Sequence, residues 1–318
     1  MKITGYIKAA AFAVVTALPN VALAEWQPEG PITLQVSFGA GGSTDMLARA
    51  IGAAIEEQTS WDIIVENKPG GGGIAMLSSL VRERPDGLTM GIGVTTPTIQ
   101  NLAERGDMLP FKADSFDYLG TIALAPLALL APTDAPYDTL VEFVEHSTAN
   151  GGSLVGFDAG PQRLMMQAVD NDTNAGFELV SNKSGSEVVQ GLLGGHFDAG
   201  FVSGAHIQYL ESGDLKMLAV ATQTRQAYSP DTESFIEQGY PYSVEPYFFI
   251  AAPKGLDPEV KETLAGALDA AVNSEALAEL IGNLMQTTPN NLGPDGTEDK
   301  LINGLADLNA LMEAAKQN

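Results

Sequence analysis

Three short stretches have the residue types and spacing needed to hold an anion. "FGAGGSTD", residues 38–45, packs Gly39, Gly41 and Gly42 ahead of Ser43, Thr44 and Asp45. "KPGGGG", residues 68–73, and "GVTTPT", residues 93–98, follow the same logic of small residues and hydroxyls beside an apolar run. Glycines permit positive φ and let a ligand approach the main chain closely. The first amides of a helix lack partners in their own helix and carry roughly half a positive charge between them. Such a turn is an anion cradle made mostly of main chain, with Ser43 and Thr44 adding hydroxyl donors and Asp45 suited to an N-cap or first-turn position. Read alone, the turn is equally an ordinary strand-to-helix connection. Thr95 and Thr96 are likewise explained by β-propensity and a turn before Pro97.

Named phosphate motifs do not fit. A P-loop needs a lysine after its last glycine, where Ser43 and Thr44 stand, and the dinucleotide fingerprint needs a glycine where Thr44 stands. The chain has no cysteine, which excludes disulfides, thiol nucleophiles, thiolate metal sites and lipid attachment through cysteine. His146, His196 and His206 are scattered without zinc spacing, so no metal site and no cofactor are expected.

The elements that must position these turns follow from periodicity. "ITLQVSF" alternates apolar and polar residues as a strand does, and Leu47, Ile51 and Ile55 then mark the buried stripe of a helix. "WDIIVEN" and "RPDGLTMGIGV" are further strands, separated by an apolar helical stretch from Ile74 to Val81. "PLALLAP", "SLVGFDAG", "FELVSN", "FDAGFV" and "LKMLAVA" repeat the rhythm, with helices over Thr139–His146, Gln162–Val169 and Ser186–Leu193. "YFFIAAP" precedes helices near 258–272, 274–284 and 297–315. Strand and helix alternating in this way means α/β units with largely parallel sheets. Two such units without a linker imply two lobes with a cleft between them.

Length and charge bound the function. Residues 1–24 have Lys2 and Lys8, an apolar run of ten and the small-residue pattern Ala22-Leu23-Ala24, the expected form of a secretory signal. Removing 24 of the 318 residues leaves 294 and moves the net charge from −24 to −26. So acidic a chain repels nucleic acid and anionic membranes. It does not repel a small anion held by local donors, because screening limits the field to roughly 8 Å.

Taken together, "FGAGGSTDMLAR" (38–49), "VENKPGGGG" (65–73), "RPDGLTM" (84–90), "GLLGGHFDAGF" (191–201) with "LESGDLKMLAVAT" (210–222), and "YFFIAAPKGLDPEV" (247–260) resemble the periplasmic solute-binding proteins of tripartite tricarboxylate transporters, the TctC or Bug-type receptors. The resemblance implies a two-lobed Venus-flytrap of the type II periplasmic-binding-protein fold, each lobe a mixed, mostly parallel sheet flanked by helices. It places lobe one at 25–122 plus 222–318 and lobe two at 123–221. It implies a periplasmic monomer, not lipid-anchored and not an enzyme, which binds a small di- or tricarboxylate or aromatic acid between the lobes and delivers it to membrane transporter subunits. A sensing subunit of a membrane kinase, or a secreted hydrolase on a similar fold, are the alternatives.

Position by position, the resemblance implies ligand contacts at Phe38, Ala40, Gly41, Gly42, Ser43 and Asp45, at Gly72 in the second glycine turn, at Thr95 and Thr96, and at Asp158, Gly160, Gln162 and Ser203 in lobe two. Two departures stand out. Asn182-Lys183-Ser184 replaces a Tyr-Lys-Gly, exchanging an aromatic wall for an amide, and Arg163 stands where a small or histidine-like residue is common. Arg163 is either a carboxylate clamp or an exposed helix residue.

Overall fold

The computed structural model describes residues 26–316, so the signal expected over 1–24 lies outside the described residues. β1 (Ile32–Val36) leads into α1 (Ser43–Thr59), β2 (Ile63–Asn67) into α2 (Ile74–Leu80), and β3 (Thr89–Val94) into α3 (Thr95–Arg105). β4 (Phe116–Leu124) and β5 (Leu127–Pro132) follow, then α4 (Leu140–Asn150), β6 (Ser153–Phe157), α5 (Gly160–Thr173), β7 (Phe177–Ser181), α6 (Gly185–Leu193), β8 (Ala199–Ser203), α7 (Ile207–Glu211) and β9 (Leu215–Val220). The chain ends with β10 (Tyr247–Pro253), α8 (Pro258–Val272), α9 (Glu275–Met285), α10 (Gly293–Asn303) and α11 (Leu305–Ala315).

Two five-stranded sheets result, in the orders β2-β1-β3-β10-β4 and β7-β6-β8-β5-β9. In the first, β1 pairs parallel with β2 and β3, while β10 runs antiparallel to both β3 and β4. In the second, β6 pairs parallel with β7 and β8, while β5 runs antiparallel to both β8 and β9. Each antiparallel strand is the first laid down after the chain crosses from the other sheet, between Leu124 and Leu127 and between Val220 and Tyr247. The fold is therefore two-lobed α/β with mixed sheets, and the parallel strands of both lobes direct their carboxyl ends, and the helix starts beyond them, toward one cleft.

Packing follows the apolar stripes. In lobe one, Leu47, Ile51 and Ile55 of α1 bury against β1 and β3 through Leu34 and Ile92. Gly52 lets that helix lie close on β2, since a β-carbon there would stand 3.1 Å from Ile63. On the outer side of the lobe, Trp26 and Trp61 meet edge to face at 5.8 Å, and Trp61 donates its indole N–H to Gln27 at 2.9 Å. Lobe two buries Leu130, Val188 and Val202. A further apolar cluster runs through both lobes, joining Phe116 and Phe249 to Leu129, Phe201 and Leu311.

Several elements differ from the sequence reading. α3 begins at the residue after β3, where a turn before Pro97 was expected; Pro97 sits in the first helical turn, where its missing N–H does no harm. β4 shows no alternation because both its faces are buried along nearly its whole length. The helix expected over 297–315 is two, divided at Gly304. Residues 222–243, read with lobe one, lie on the second sheet: Phe235 donates its amide to the Val220 carbonyl at 3.0 Å and stacks on Phe201, and Gln238 accepts from Leu140 and donates to the Leu218 carbonyl. α11, also read with lobe one, packs chiefly on α5.

β10 carries Phe248 to the cleft, and a buried carboxylate fixes its far end. Asp117 of β4 accepts from the amides of Gly255 and Leu256 at 2.8 and 3.0 Å and pairs with Lys254 at 3.1 Å. Asp117→Ala leaves two inward-facing amides without an acceptor, and the expected loss is about 2–4 kcal/mol of unfolding free energy, read from urea denaturation; a change below 0.5 kcal/mol would refute this anchoring role.

Candidate functional site

The turn from β1 into α1 is built around Asp45. Gly41 adopts φ +77°, which a side chain rarely takes up, and donates its amide to Asp45 Oδ2 at 2.9 Å. Arg49 donates to both oxygens of the same carboxylate and Asn67 Nδ2 donates to Oδ1 at 2.9 Å. Asn67 also holds the carbonyl of Phe38 at 3.1 Å. Burial alone would raise the Asp45 carboxyl, but the bonds from Arg49, the Gly41 amide and Asn67 outweigh it and hold it below the usual range. Asp45 is a brace behind the turn. Its oxygens are spoken for by protein donors, so the ligand contact expected of it is replaced by a positioning one.

What the brace presents is the start of α1. The amides of Ser43 and Thr44 and the hydroxyls of both residues find no acceptor or donor among the described residues. α3 brings Thr96 to the same place. Thr95, by contrast, turns its hydroxyl inward to accept the amide of Tyr247 at 3.0 Å, fixing the start of β10.

Lobe two answers with a reciprocal pair. Gln162, in the first turn of α5, accepts from the amides of Asp158 and Ala159 at 2.9 and 3.3 Å and donates from Nε2 to Asp158 Oδ1 at 2.7 Å. Asp158 thus faces the cleft beyond the end of β6, beside the start of α6 at Gly185. Ser203, ending β8, holds a buried hydroxyl with no partner.

These groups enclose a slot of about 500 Å³ of atom-free space, about 40 Å³ of which admits the centre of a water-sized sphere. By the ~10–15 Å³ that one water needs, this is room for a small molecule in a nearly shut cleft. Phe38, Gly42, Ser43, Thr44, Val94, Thr96, Pro246 and Phe248 line it from lobe one; Leu127, Asp158, Ala159, Gln162, Gly185 and Ser203 line it from lobe two. The lobes also touch directly. Gly39 donates its amide to the Lys183 carbonyl at 3.2 Å and Ser186 donates its hydroxyl to the Ala40 carbonyl at 3.3 Å.

A second, outer pocket adjoins the slot and shares Phe38, Asp158 and Ala159 with it. Gly72 and Gly160 line this outer pocket and not the slot, as do Arg105, Arg163, Lys183, Glu104 and Asn182. Ala40 and Gly41 are exposed and line neither. Seven of the residues singled out from the sequence therefore meet at the slot: Phe38, Gly42, Ser43, Thr96, Asp158, Gln162 and Ser203. The amide of Asn182 is engaged by the carbonyls of Phe157 and Val180. Arg163 donates to Gln167 at 2.7 Å and faces the outer pocket, away from the slot. Thr44, read from the sequence as a hydroxyl donor of the turn, also lines the slot, while Gly185, Phe248 and Pro246 were missed; the first helical turn of α6 after Ser184 was the one signal available for Gly185.

No cation lines the slot. Burial pushes the Asp158 carboxyl up to about 6, against the bonds from Gln162 and from the amides of Asp158 and Gly185. His206, buried with Nε2 on the Tyr228 hydroxyl at 2.9 Å, is pushed down to about 3 and lies outside the slot. Among the described residues no group of three His, Asp or Glu side chains is placed to hold a metal ion.

A family model described as the tripartite tricarboxylate transporter family receptor matches residues 47–305. A Cupriavidus necator protein described as "UPF0065 protein in gbd 5'region" is 30% identical over 273 residues, which are 85% of this chain and 83% of that protein. Among solved structures, the periplasmic binding protein BugD aligns with a TM-score of 0.82 at 24% identity, over 91% of this chain and 98% of its own. The R. palustris protein Rpa4515 with adipate also gives 0.82, at 23% identity, over 91% and 98%. At these identities the structural likeness concerns the fold.

The raised carboxyl of Asp158 gives a signed expectation. An acid whose folded value lies above its unfolded one contributes stability that is full below the unfolded value and lost as pH rises through the folded one. Asp158 moves from 3.8 to about 6, roughly two pH units at ~1.4 kcal/mol each, so the loss is at most about 3 kcal/mol. Asp158→Asn should therefore match the parent near pH 4 and exceed it in melting temperature at pH 7 without ligand, with Glu104, Arg105, Arg163 and Lys183 of the outer pocket left unchanged. Equal melting temperatures at pH 7 would show that the carboxylate is not under strain.

Proposed function

Because the chain belongs to the tripartite tricarboxylate transporter receptor family, we propose that it is an extracytoplasmic receptor that captures one small carboxylate in the slot between its lobes and hands it to a membrane transporter. The observation that carries this reading is the free start of α1: amides and hydroxyls of Ser43 and Thr44 without protein partners, in residues that line a slot with no cation, and Thr96 and Ser203 supplying further hydroxyls. A carboxylate accepts from several such donors at once, and bonds to a charged group are worth about 1.5–3 kcal/mol each. Closing the lobes completes the set, so ligand and closure favour one another. One fold neighbour is described with adipate, a dicarboxylate.

The reading is binding without turnover. The hydroxyls of Ser43 and Ser203 have no base bonded to them, and the buried imidazole of His206 lies outside the slot with Nε2 on the Tyr228 hydroxyl.

A thermal-shift screen of the purified protein against mono-, di- and tricarboxylates, amino acids and sugars tests this. At a hundredfold excess over the dissociation constant, the true class of ligand stabilises by about 2.7 kcal/mol. Shifts among sugars alone would overturn the proposal. Ser43→Ala is expected to weaken binding by about tenfold or more, the loss of one bond to a charged group, while unfolding free energy stays within about 0.5 kcal/mol. A variant that fails to fold would instead make the turn structural.

A further inference from the structure

Asp158 is the unexplained group in the slot. A receptor for anions has placed its own carboxylate on the wall, with no cation lining the slot to offset it. That carboxylate occupies the positions in lobe two where a bound anion would otherwise sit. Gln162 Nε2 holds Oδ1 at 2.7 Å, and the start of α6 at Gly185 lines the slot beside it. The remaining charged groups near it, Glu104, Arg105, Arg163 and Lys183, line the outer pocket, which Asp158 also borders, and among the described residues none of them forms an ion pair with it. Lobe one offers donors without acceptors, at Ser43 and Thr44. Lobe two offers an acceptor with a full charge, to which Gln162 is committed, and beside it the unpartnered hydroxyl of Ser203.

A solute with a second carboxylate against this wall would bring two like charges within ~4–6 Å, which disfavours ionisation of both. A solute carrying an ammonium there gives charge-assisted bonds and neutralises a poorly solvated anion. We propose that Asp158 is a specificity-determining residue that makes the slot select zwitterionic solutes, the carboxylate held at the start of α1 and the ammonium held by Asp158, over dicarboxylates of matching length. The proposal rests on the reading of the slot as a carboxylate site and adds the polarity of the ligand to it.

Titration calorimetry at pH 7.5 on matched pairs tests it: alanine with propionate, aspartate with succinate, glutamate and 4-aminobutyrate with glutarate. The expected result is at least tenfold tighter binding of the amine-bearing member in one or more pairs. Asp158→Asn should cost that member tenfold or more and bring the dicarboxylate to equal or better affinity. The melting curve of the variant shows that it is folded. Preference for the dicarboxylate in the parent, or a variant that binds both members as the parent does, overturns the proposal while leaving the carboxylate slot standing. Tighter dicarboxylate binding at pH 5.5 than at pH 7.5 would assign Asp158 the opposite role, a protonated donor, and also overturns it. No binding by any member of the panel overturns the slot reading itself, and this proposal with it.

Discussion

A helix start leaves amide hydrogens that its own turns cannot satisfy, and a buried one must find an acceptor somewhere. The cleft is organised around this requirement. Both sheets end their parallel strands at the same gap, so α1 and α3 begin there from one side and α5 and α6 from the other. The two lobes meet the requirement differently. Lobe two meets most of it internally, with Gln162 capping α5 and Ser184 accepting from Glu187, and leaves the Ser203 hydroxyl unpartnered. Lobe one braces its turn from behind through Asp45 and Asn67 and leaves the front of α1 open. The slot is thus a donor face opposed to an acceptor face, which is a stronger constraint on a guest than negative charge alone.

The fold was legible wherever burial is one-sided. The four-residue stripe of α1 follows from one wet and one dry face, whereas "ITLQV" alternates in type although Gln35 is buried with its neighbours. It was illegible where burial is two-sided or local rules compete. β4 is buried on both faces, so it carries no alternation. Thr95, Thr96 and Pro97 have the composition of a strand end, yet a proline in a first turn is compatible with a helix. The stretch 222–243 has no regular element over most of its length, and only its hydrogen bonds through Gln238 and Phe235 tie it to the second sheet.

The site was legible as a set of turns and less so as a set of contacts. Gly42, Ser43 and Thr96 lie where a helix start meets a strand end, and the slot is there. The acid of the first turn, Asp45, was a different matter: sequence shows that a carboxylate is near the turn but not which way it faces, and here it faces Arg49 and Asn67. Gly72 and Gly160 differ from their neighbours by lining the outer pocket and not the slot, a distinction that tertiary packing makes and the local sequence does not. The pairing of Asp158 with Gln162, four residues apart across a strand–helix junction, needs the turn geometry to be seen at all. Charge distribution completes the picture. In a chain of net charge −24, Arg105, Arg163 and Lys183 gather at the outer pocket beside Glu104 and Asp158, so cations are concentrated next to the cleft while the slot itself has none.

The tryptophan pair has an optical consequence. Trp26 and Trp61 are the whole complement of indoles in the chain, and both belong to the outer side of lobe one, in contact with each other and with Gln27. The rings at the slot are phenylalanines, Phe38 and Phe248, which emit weakly. Intrinsic fluorescence excited at the indole band therefore reports the integrity of one lobe and is nearly blind to the opening and filling of the cleft; a dye on the rim, not the native chromophores, is what would see this receptor work.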